Sequence, residues 1–168
     1  LGAQVVNTNP LYVEREVEHQ FNDAGVTVVV TLDYLWRDRL RGILDRTSVE
    51  HVVVTSIPEY LPIPLRWLAP FKLRKTGQYV KVPREEGVHF FKDVMADDGA
   101  TPPPVDVSMD HVAVLQYTGG TTGVSKGAML THRNLSFNVQ QGRAWFARAK
   151  PGEEVCLACL PYFHVLGM

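Results

Sequence analysis

Short apolar runs that alternate with stretches of helical periodicity constrain the fold of this 168-residue chain more than any other feature. Residues 26–32 and 51–55 are rich in β-branched side chains and have the length of buried strands. Gly25 stands where a helix before the first run would be capped. The helical stripes comprise Val13, Val17, Phe21 and Ala24, and then Trp36, Leu40, Ile43 and Leu44. Helices alternating with buried strands predict an α/β fold with a mostly parallel sheet flanked by helices.

Composition and charge exclude several classes of protein. Hydrophobic residues make up 45% of the chain and charged residues 21%, which is a globular rather than a disordered balance. The net charge of −1 gives no electrostatic reason to bind nucleic acid. No apolar run approaches the roughly 20 residues that cross a bilayer. With two cysteines and no signal sequence, we expect a cytoplasmic protein.

The two ends of the sequence do not resemble polar, frayed domain termini. The chain opens without Met inside the apolar stretch 1–6 and stops just after the apolar and aromatic stretch 156–166. We therefore expect an internal fragment of a longer protein. By itself it should be inactive, because the rest of that protein is missing, and poorly soluble, because its sheet edges are uncovered. Cys156 and Cys159 lie within residues 155–160, predicted as a buried strand. Residues three apart on a strand face opposite sides, so we interpret both as structural thiols.

Residues 60–84 form a basic segment that four prolines prevent from being one continuous helix. It carries six basic residues and no acidic one, interleaved with Leu61, Ile63, Leu65, Trp67, Leu68 and Phe71. Two interpretations remain open. Residues 61–84 could lie on the anionic surface of the inner membrane as a peripheral contact, or the segment could dock its apolar side chains on the protein core.

The remaining sequence predicts four further parts. Residues 87–95 suggest a short helix or turn, and residues 96–110, acidic and rich in proline, a solvated connector. Residues 1–59 would then be an α/β segment and residues 111–168 a separate βαβ unit. In that unit we predict a strand at 111–117, a loop at 118–130, a helix at 131–148 with Thr131 as its N-cap, and the strand at 155–160. Long loops at the carboxyl ends of sheet strands are where α/β proteins bind ligands.

The predicted loop begins Thr118-Gly119-Gly120-Thr121-Thr122-Gly123-Val124-Ser125-Lys126-Gly127. Glycines bring backbone N–H groups close to a ligand, hydroxyls add donors, and lysine supplies a mobile positive charge. A merely flexible loop does not explain four glycines, four hydroxyls and a lysine in ten residues. The spacing matches neither G-x-x-x-x-G-K-[ST] nor G-x-G-x-x-G. The segment therefore predicts a polyphosphate-binding loop of another kind.

Residues 117–127 resemble the phosphate-binding motif of the adenylate-forming (acyl-activating) superfamily, which includes acyl-CoA synthetases, luciferases and peptide-synthetase adenylation domains. Residues 128–134 resemble its acyl-CoA ligase form, and residues 160–168 resemble the next motif, near the acyl pocket. Residues 6–12 and the basic segment are most similar to bacterial long-chain fatty acid–CoA ligases. Ser125 departs from the proline that many relatives carry there, which removes no donor.

The resemblance implies part of the large N-terminal AMP-binding domain of an enzyme that uses ATP and Mg²⁺ to convert a long-chain fatty acid to an acyl-adenylate and then transfers it to coenzyme A. It implies catalytic roles for Lys126 and His164 and a place near the metal for Thr118. Without the resemblance, a lone histidine such as His164 is more often a structural residue. The implied nucleotide-binding residues are Tyr117, Thr118, Gly119, Gly120, Thr121, Thr122, Gly123, Val124, Ser125, Lys126, Gly127 and Ala128.

Two alternative functions stay open at this point. The parent could be a related adenylating enzyme for another carboxylic acid, such as an aryl acid or an amino acid. It could also be a non-catalytic module that binds phosphate or a membrane surface.

Overall fold

The computed structural model of the chain describes residues 2–96, 101–118, 125–150, 152–155, 157, 159 and 163. It divides into two compact units, one formed by residues 10–101 and the other by residues 1–9 together with 102–168. The strands are β1 (Val5–Asn7), β2 (Val28–Leu32), β3 (His51–Thr55), β4 (Val88–Phe90), β5 (Val112–Thr118) and β6 (Lys126–Thr131). The helices are α1 (Glu14–Ala24), α2 (Asp33–Leu35), α3 (Leu65–Lys75), α4 (Phe91–Val94) and α5 (His132–Trp145).

The unit of residues 10–101 is built on the parallel sheet β2–β3–β4. Helix α1 buries Val17 and Phe21 of the predicted stripe, each 3% exposed, and ends at Gly25 in the left-handed conformation with φ 62°. Val13, the first residue of that stripe, lies before the helix and is 52% exposed. β3 turns alternate side chains to the same core, because successive residues of a strand face opposite sides. The core comprises Val17, Phe21, Trp36, Leu40, Ile43, Val52 and Val54.

As its prolines predict, the basic segment is not one continuous helix, although residues 65–75 form α3 with Pro70 inside it. Two other local predictions in this unit differ from the structure. The stripe that begins at Trp36 is not one α-helix but a π-helical turn, Trp36–Leu40, followed by a 3₁₀ turn, Leu44–Arg46. The expected helix or turn at 87–95 begins as a strand, β4, because β3 offers it a free parallel edge.

The other unit is built on a sheet in the order β1–β5–β6. β1 pairs with β5 in parallel, whereas β5 and β6 form an antiparallel hairpin that leads directly into α5. The predicted loop over 118–130 is therefore wrong for its second part, because residues 126–131 are a strand. These residues, which are mostly small or apolar, show no strand pattern in the sequence. They form a strand because they pair with β5.

The predicted buried strand at 155–160 is also not found in its described residues. Val155, Leu157 and Cys159 belong to no strand, and the first two are 98% and 86% exposed. A strand requires a neighbouring edge to hydrogen-bond, and these residues pair with none of the six strands. Cys156, Ala158 and Leu160 lie outside the described residues.

The α/β fold class is confirmed, and three of the four strand pairings among the described residues are parallel. The N-cap prediction for α5 is also confirmed at Thr131. No helix in the described part of the chain is long and apolar enough to cross a membrane.

The core of residues 10–101 predicts a contrast between two identical substitutions. Ile43 is 0% exposed, and Ile57 in the same unit is 56% exposed. Ile43→Ala should lower the free energy of unfolding by about 2–5 kcal/mol because it leaves a cavity. Ile57→Ala should change it by no more than about 0.5 kcal/mol. Urea denaturation of both variants checks this, and equal effects would contradict the assigned core.

Candidate functional site

The β5–β6 hairpin brings the two ends of the candidate phosphate-binding segment together. Thr118, the last residue of β5, is the register partner of Lys126, the first residue of β6. The hydroxyl and the ammonium group predicted to bind phosphate therefore belong to neighbouring strands at the base of the hairpin tip. The tip itself, which comprises Gly119, Gly120, Thr121, Thr122, Gly123 and Val124, lies outside the described residues.

Lys126 is exposed, and within the described part of the chain no carboxylate forms an ion pair with it. A charge on a flexible stem without a protein partner is suited to an anionic ligand. Thr118 beside it is exposed too and offers a hydroxyl that can donate or accept. This pair of groups fits phosphate oxygens, and the Thr118 oxygen also fits the oxygen ligands that Mg²⁺ prefers.

The next pair along the hairpin explains why a glycine is needed at position 127. Tyr117 and Gly127 are register partners, and the Tyr117 side chain is buried at 7% exposure. A Cβ atom at position 127 would lie 3.0 Å from both Cε2 and Cζ of the Tyr117 ring. The ring covers the glycine backbone, an arrangement that pins strand register. Ser125 precedes β6 and is partly buried, whereas Ala128 within β6 is exposed.

Gln116 is a buried polar residue of this hairpin that the sequence did not single out. It is 5% exposed, and its Oε1 accepts a hydrogen bond from Asn7 Nδ2 at 3.3 Å. Its Nε2 donates to the carbonyl oxygens of Tyr117 at 3.4 Å and of Phe163 at 3.3 Å. The sequence signal that could have identified this residue is a glutamine between apolar strand residues. A buried amide is nearly always hydrogen-bonded, so such a residue indicates specific partners.

The start of α5 is fixed to the chain before β5. Thr131 Oγ1 accepts from Asn134 N at 3.2 Å, and Asn134 Oδ1 accepts from Thr131 N at 3.0 Å. Arg133 donates to Asp110 at 2.8 and 3.1 Å. These hydrogen bonds lower the pKa of the Asp110 carboxyl below its usual value. Reciprocal caps and a two-bond ion pair therefore define where β6 gives way to helix.

The structure describes some of the predicted site residues and not others. Tyr117, Thr118, Ser125, Lys126, Gly127 and Ala128 all lie along the hairpin. The predicted catalytic His164 lies outside the described residues, although the adjacent Phe163 is described. Among the described residues there is no group of three or more histidine, cysteine, aspartate or glutamate side chains that could hold a metal ion.

Comparison with known proteins identifies relatives along the whole chain. The family model described as AMP-binding enzyme matches residues 1–168. A long-chain-fatty-acid–CoA ligase of Bacillus subtilis is 39% identical over 99% of this chain and 30% of its own length. One from Escherichia coli O157:H7 is 35% identical over the same shares. A 4-coumarate–CoA ligase 1 of Oryza sativa is 31% identical over 100% of the chain and 26% of its own length.

The solved structures agree with these sequence matches. A long-chain-fatty-acid-CoA ligase from Archaeoglobus fulgidus superposes with a TM-score of 0.64 and 29% identity, over 95% of this chain and 26% of that one. An anthranilate CoA ligase has the same fold with a TM-score of 0.61 at 21% identity. The chain spans about 30% of the length of the bacterial relatives it matches.

The Tyr117–Gly127 contact predicts opposite effects for two glycine-to-alanine changes. Gly127→Ala should lower the free energy of unfolding by about 1 kcal/mol, because the new methyl group forces the buried Tyr117 ring aside. Gly142 lies inside α5 with nothing within 4 Å of its Cβ position. Gly142→Ala should therefore raise it by about 0.5–1 kcal/mol through helix propensity. Chemical denaturation checks the two signs, and stabilisation by Gly127→Ala would contradict the packing.

Proposed function

The chain belongs to the AMP-binding enzyme family, and on that premise we propose that its parent is an AMP-forming long-chain fatty acid–CoA ligase. One structural observation carries the proposal: Thr118 and Lys126 face each other at the base of a glycine-rich hairpin tip. Support for the acid comes from the bacterial relatives, which are named as ligases of long-chain fatty acids. Among the described residues, those of the β5–β6 hairpin are proposed to bind the phosphates in that enzyme.

The proposed reaction has two steps. The fatty carboxylate attacks the α-phosphorus of ATP, and the bond to the leaving pyrophosphate breaks. The thiol of coenzyme A then attacks the acyl carbon, and AMP departs as the thioester forms. Such chemistry depends on positioning and on neutralising charge more than on a protein nucleophile.

The residues of this chain then have distinct roles. Lys126 and the Thr118 hydroxyl bind oxygens of the β- and γ-phosphates, together with the backbone N–H groups of residues 119–124. Mg²⁺, when bound, neutralises phosphate charge, and the Thr118 oxygen is its proposed contact in this chain. His164 is proposed to lie beside the carboxylate or adenylate. Coenzyme A is the acyl acceptor.

A second acid class has specific support. The Oryza sativa relative is named as a ligase of 4-coumarate, an aryl acid, and is 31% identical along the whole chain. Pyrophosphate exchange by the full-length parent should separate the two classes. We expect exchange with palmitate, and exchange only with 4-coumarate or with amino acids would reject the fatty-acid substrate.

Alanine substitutions of two exposed lysines test the phosphate-binding assignment. Lys126→Ala in the full-length parent should lower palmitate-dependent pyrophosphate exchange by about a hundredfold, because a positioned cation is lost from the phosphates. Lys92→Ala, in the exposed α4 of the other unit, should leave the exchange rate unchanged. Equal rates for Lys126→Ala and the wild type would reject the phosphate-binding role of Lys126. Absence of exchange in the wild type with any acid would reject the ligase assignment and would favour a non-catalytic module.

We also propose that the parent is a cytoplasmic enzyme that contacts anionic membrane through residues 61–84. In α3 the exposed side chains Trp67, Leu68 and Phe71 are 67%, 58% and 64% exposed. Ala69 and Leu73 on the opposite face are partly buried. Residues 67, 68 and 71 share one face at the helical period. Their exposure supports this contact over the alternative, in which these apolar side chains dock on the core.

Charge supports the same surface. Lys72, Arg74 and Lys75 occupy the last turn of α3, and the helix contains no acidic residue. Apolar side chains that insert beside basic ones that meet phosphate headgroups are typical of helices lying in a membrane interface. The observation that carries this second proposal is the exposure of both kinds of side chain on one short helix.

Vesicle binding tests the membrane proposal by charge reversal. Substituting Lys72, Arg74 and Lys75 by glutamate should weaken partitioning of the full-length parent to phosphatidylserine vesicles by at least about a hundredfold, since each basic residue contributes about 1 kcal/mol. The same changes at Lys92, Arg143 and Lys150, which lie outside α3, should have a much smaller effect. Equal losses in both triple variants would indicate general electrostatics and reject a dedicated surface.

A further inference from the structure

Gln116 is a buried amide in the middle of the sheet, and the proposed chemistry does not use it. It lies on β5, the central strand of β1–β5–β6, where Ala113, Val114 and Tyr117 are also buried. A polar side chain in such a place is unfavourable unless each of its groups is hydrogen-bonded. Its partners therefore indicate why the strand carries an amide there.

The contacts of Gln116 leave no ambiguity about which end of the amide points where. Nε2 meets two carbonyl oxygens, of Tyr117 and Phe163, and a carbonyl can only accept. Oε1 meets the Nδ2 group of Asn7, which can only donate. Both N–H bonds and the carbonyl oxygen of the side chain are thus used.

Two of these contacts join segments that are far apart in sequence. Asn7 on β1 is the register partner of Gln116, so the two amides lie side by side on adjacent parallel strands. Phe163 belongs to none of the strands, and Gln116 reaches its main chain across 47 residues. Gln116 is also two residues before Thr118, the last residue of β5 and the first of the two residues assigned to phosphate.

We propose that Gln116 is a positioning residue of the adenylation step, one that fixes the main chain at Phe163 beside the phosphate-binding hairpin. The inference rests on the proposed ligase function. In the parent, the segment around residue 163 resembles the motif near the acyl pocket, whereas Thr118 and Lys126 are assigned to ATP. Attack requires the carboxylate to approach the α-phosphorus to about 3–3.5 Å, and a displacement of about 1 Å can cost a hundredfold in rate.

Separate effects on the acid and on ATP follow from this arrangement. Removal of the Nε2 donor frees the carbonyls of Phe163 and Tyr117 but removes no phosphate-binding group of Thr118 or Lys126. The KM for the fatty acid should therefore rise and kcat should fall, whereas the Kd of ATP measured without acid should stay unchanged. A residue that only stabilises the fold would not separate the two ligands in this way.

The test uses Gln116→Glu in the full-length parent, with pyrophosphate exchange as the assay. Glutamate keeps the length of the side chain and an oxygen toward Asn7 but presents no N–H to Phe163. We expect kcat/KM for palmitate to fall about tenfold to a hundredfold, with the ATP Kd changed less than about twofold. Gln116→Met, neutral and of similar length, should give the same pattern and decides the matter if the glutamate variant does not fold.

Two controls complete the design. Gln20 is 0% exposed in the other unit, so Gln20→Glu also buries a carboxylate and should lower the unfolding temperature. At temperatures below unfolding, it should change neither kcat/KM for palmitate nor the Kd of ATP. Asn7→Ala removes the partner of Oε1 but keeps the Nε2 bond, so kcat/KM should fall less than about threefold.

The outcomes separate the inference from the function on which it rests. Wild-type kinetics in both Gln116 variants, or equal changes in the Gln20 and Gln116 variants, would overturn the positioning role while the ligase assignment stands. A parallel rise in the ATP Kd would overturn it as well. A wild-type parent that shows no exchange with any acid would remove the ligase assignment and this inference together.

Discussion

The pairing of β5 with strands on both sides is the constraint on which the candidate site depends. β1 pairs in parallel along one edge and β6 antiparallel along the other. This register places Thr118 opposite Lys126 and sets the Tyr117 ring over Gly127. A slip of one residue would turn every side chain of the strand to the other face and separate these pairs. The chemistry of the hairpin is therefore a consequence of strand register.

The two units use burial in different ways. In residues 10–101 a helix and a π-helical turn cover one face of a parallel sheet, and the buried side chains there are almost all apolar. In the other unit the central strand also buries Gln116, whose hydrogen bonds connect β1, β5 and Phe163. Apolar contacts are not directional, but hydrogen bonds are, so an amide can specify the position of a segment outside the sheet.

Sequence reasoning succeeded where the information is local. The buried pair Val17 and Phe21 of α1 and the glycine that ends the helix lie within a dozen residues, and the structure confirms both. β3 occupies the predicted residues 51–55, because a run of valines has one favourable conformation when buried. Thr131 was recognisable as an N-cap because its partner, Asn134, is three residues away. The resemblance at residues 117–127 is local in the same sense, and the family match agrees with it.

The sequence by itself determined the α/β class, the glycine that ends α1, the N-cap of α5 and the donor groups of the candidate phosphate-binding segment. The tertiary structure decided which segments pair. It made residues 126–131 and 88–90 strands, left Val155 and Leu157 outside the sheets, and brought Asn7 and Phe163 to Gln116. The physical reason is that a helix satisfies its backbone hydrogen bonds within itself, whereas a strand must find them in a distant part of the chain. No window of neighbouring residues contains that partner.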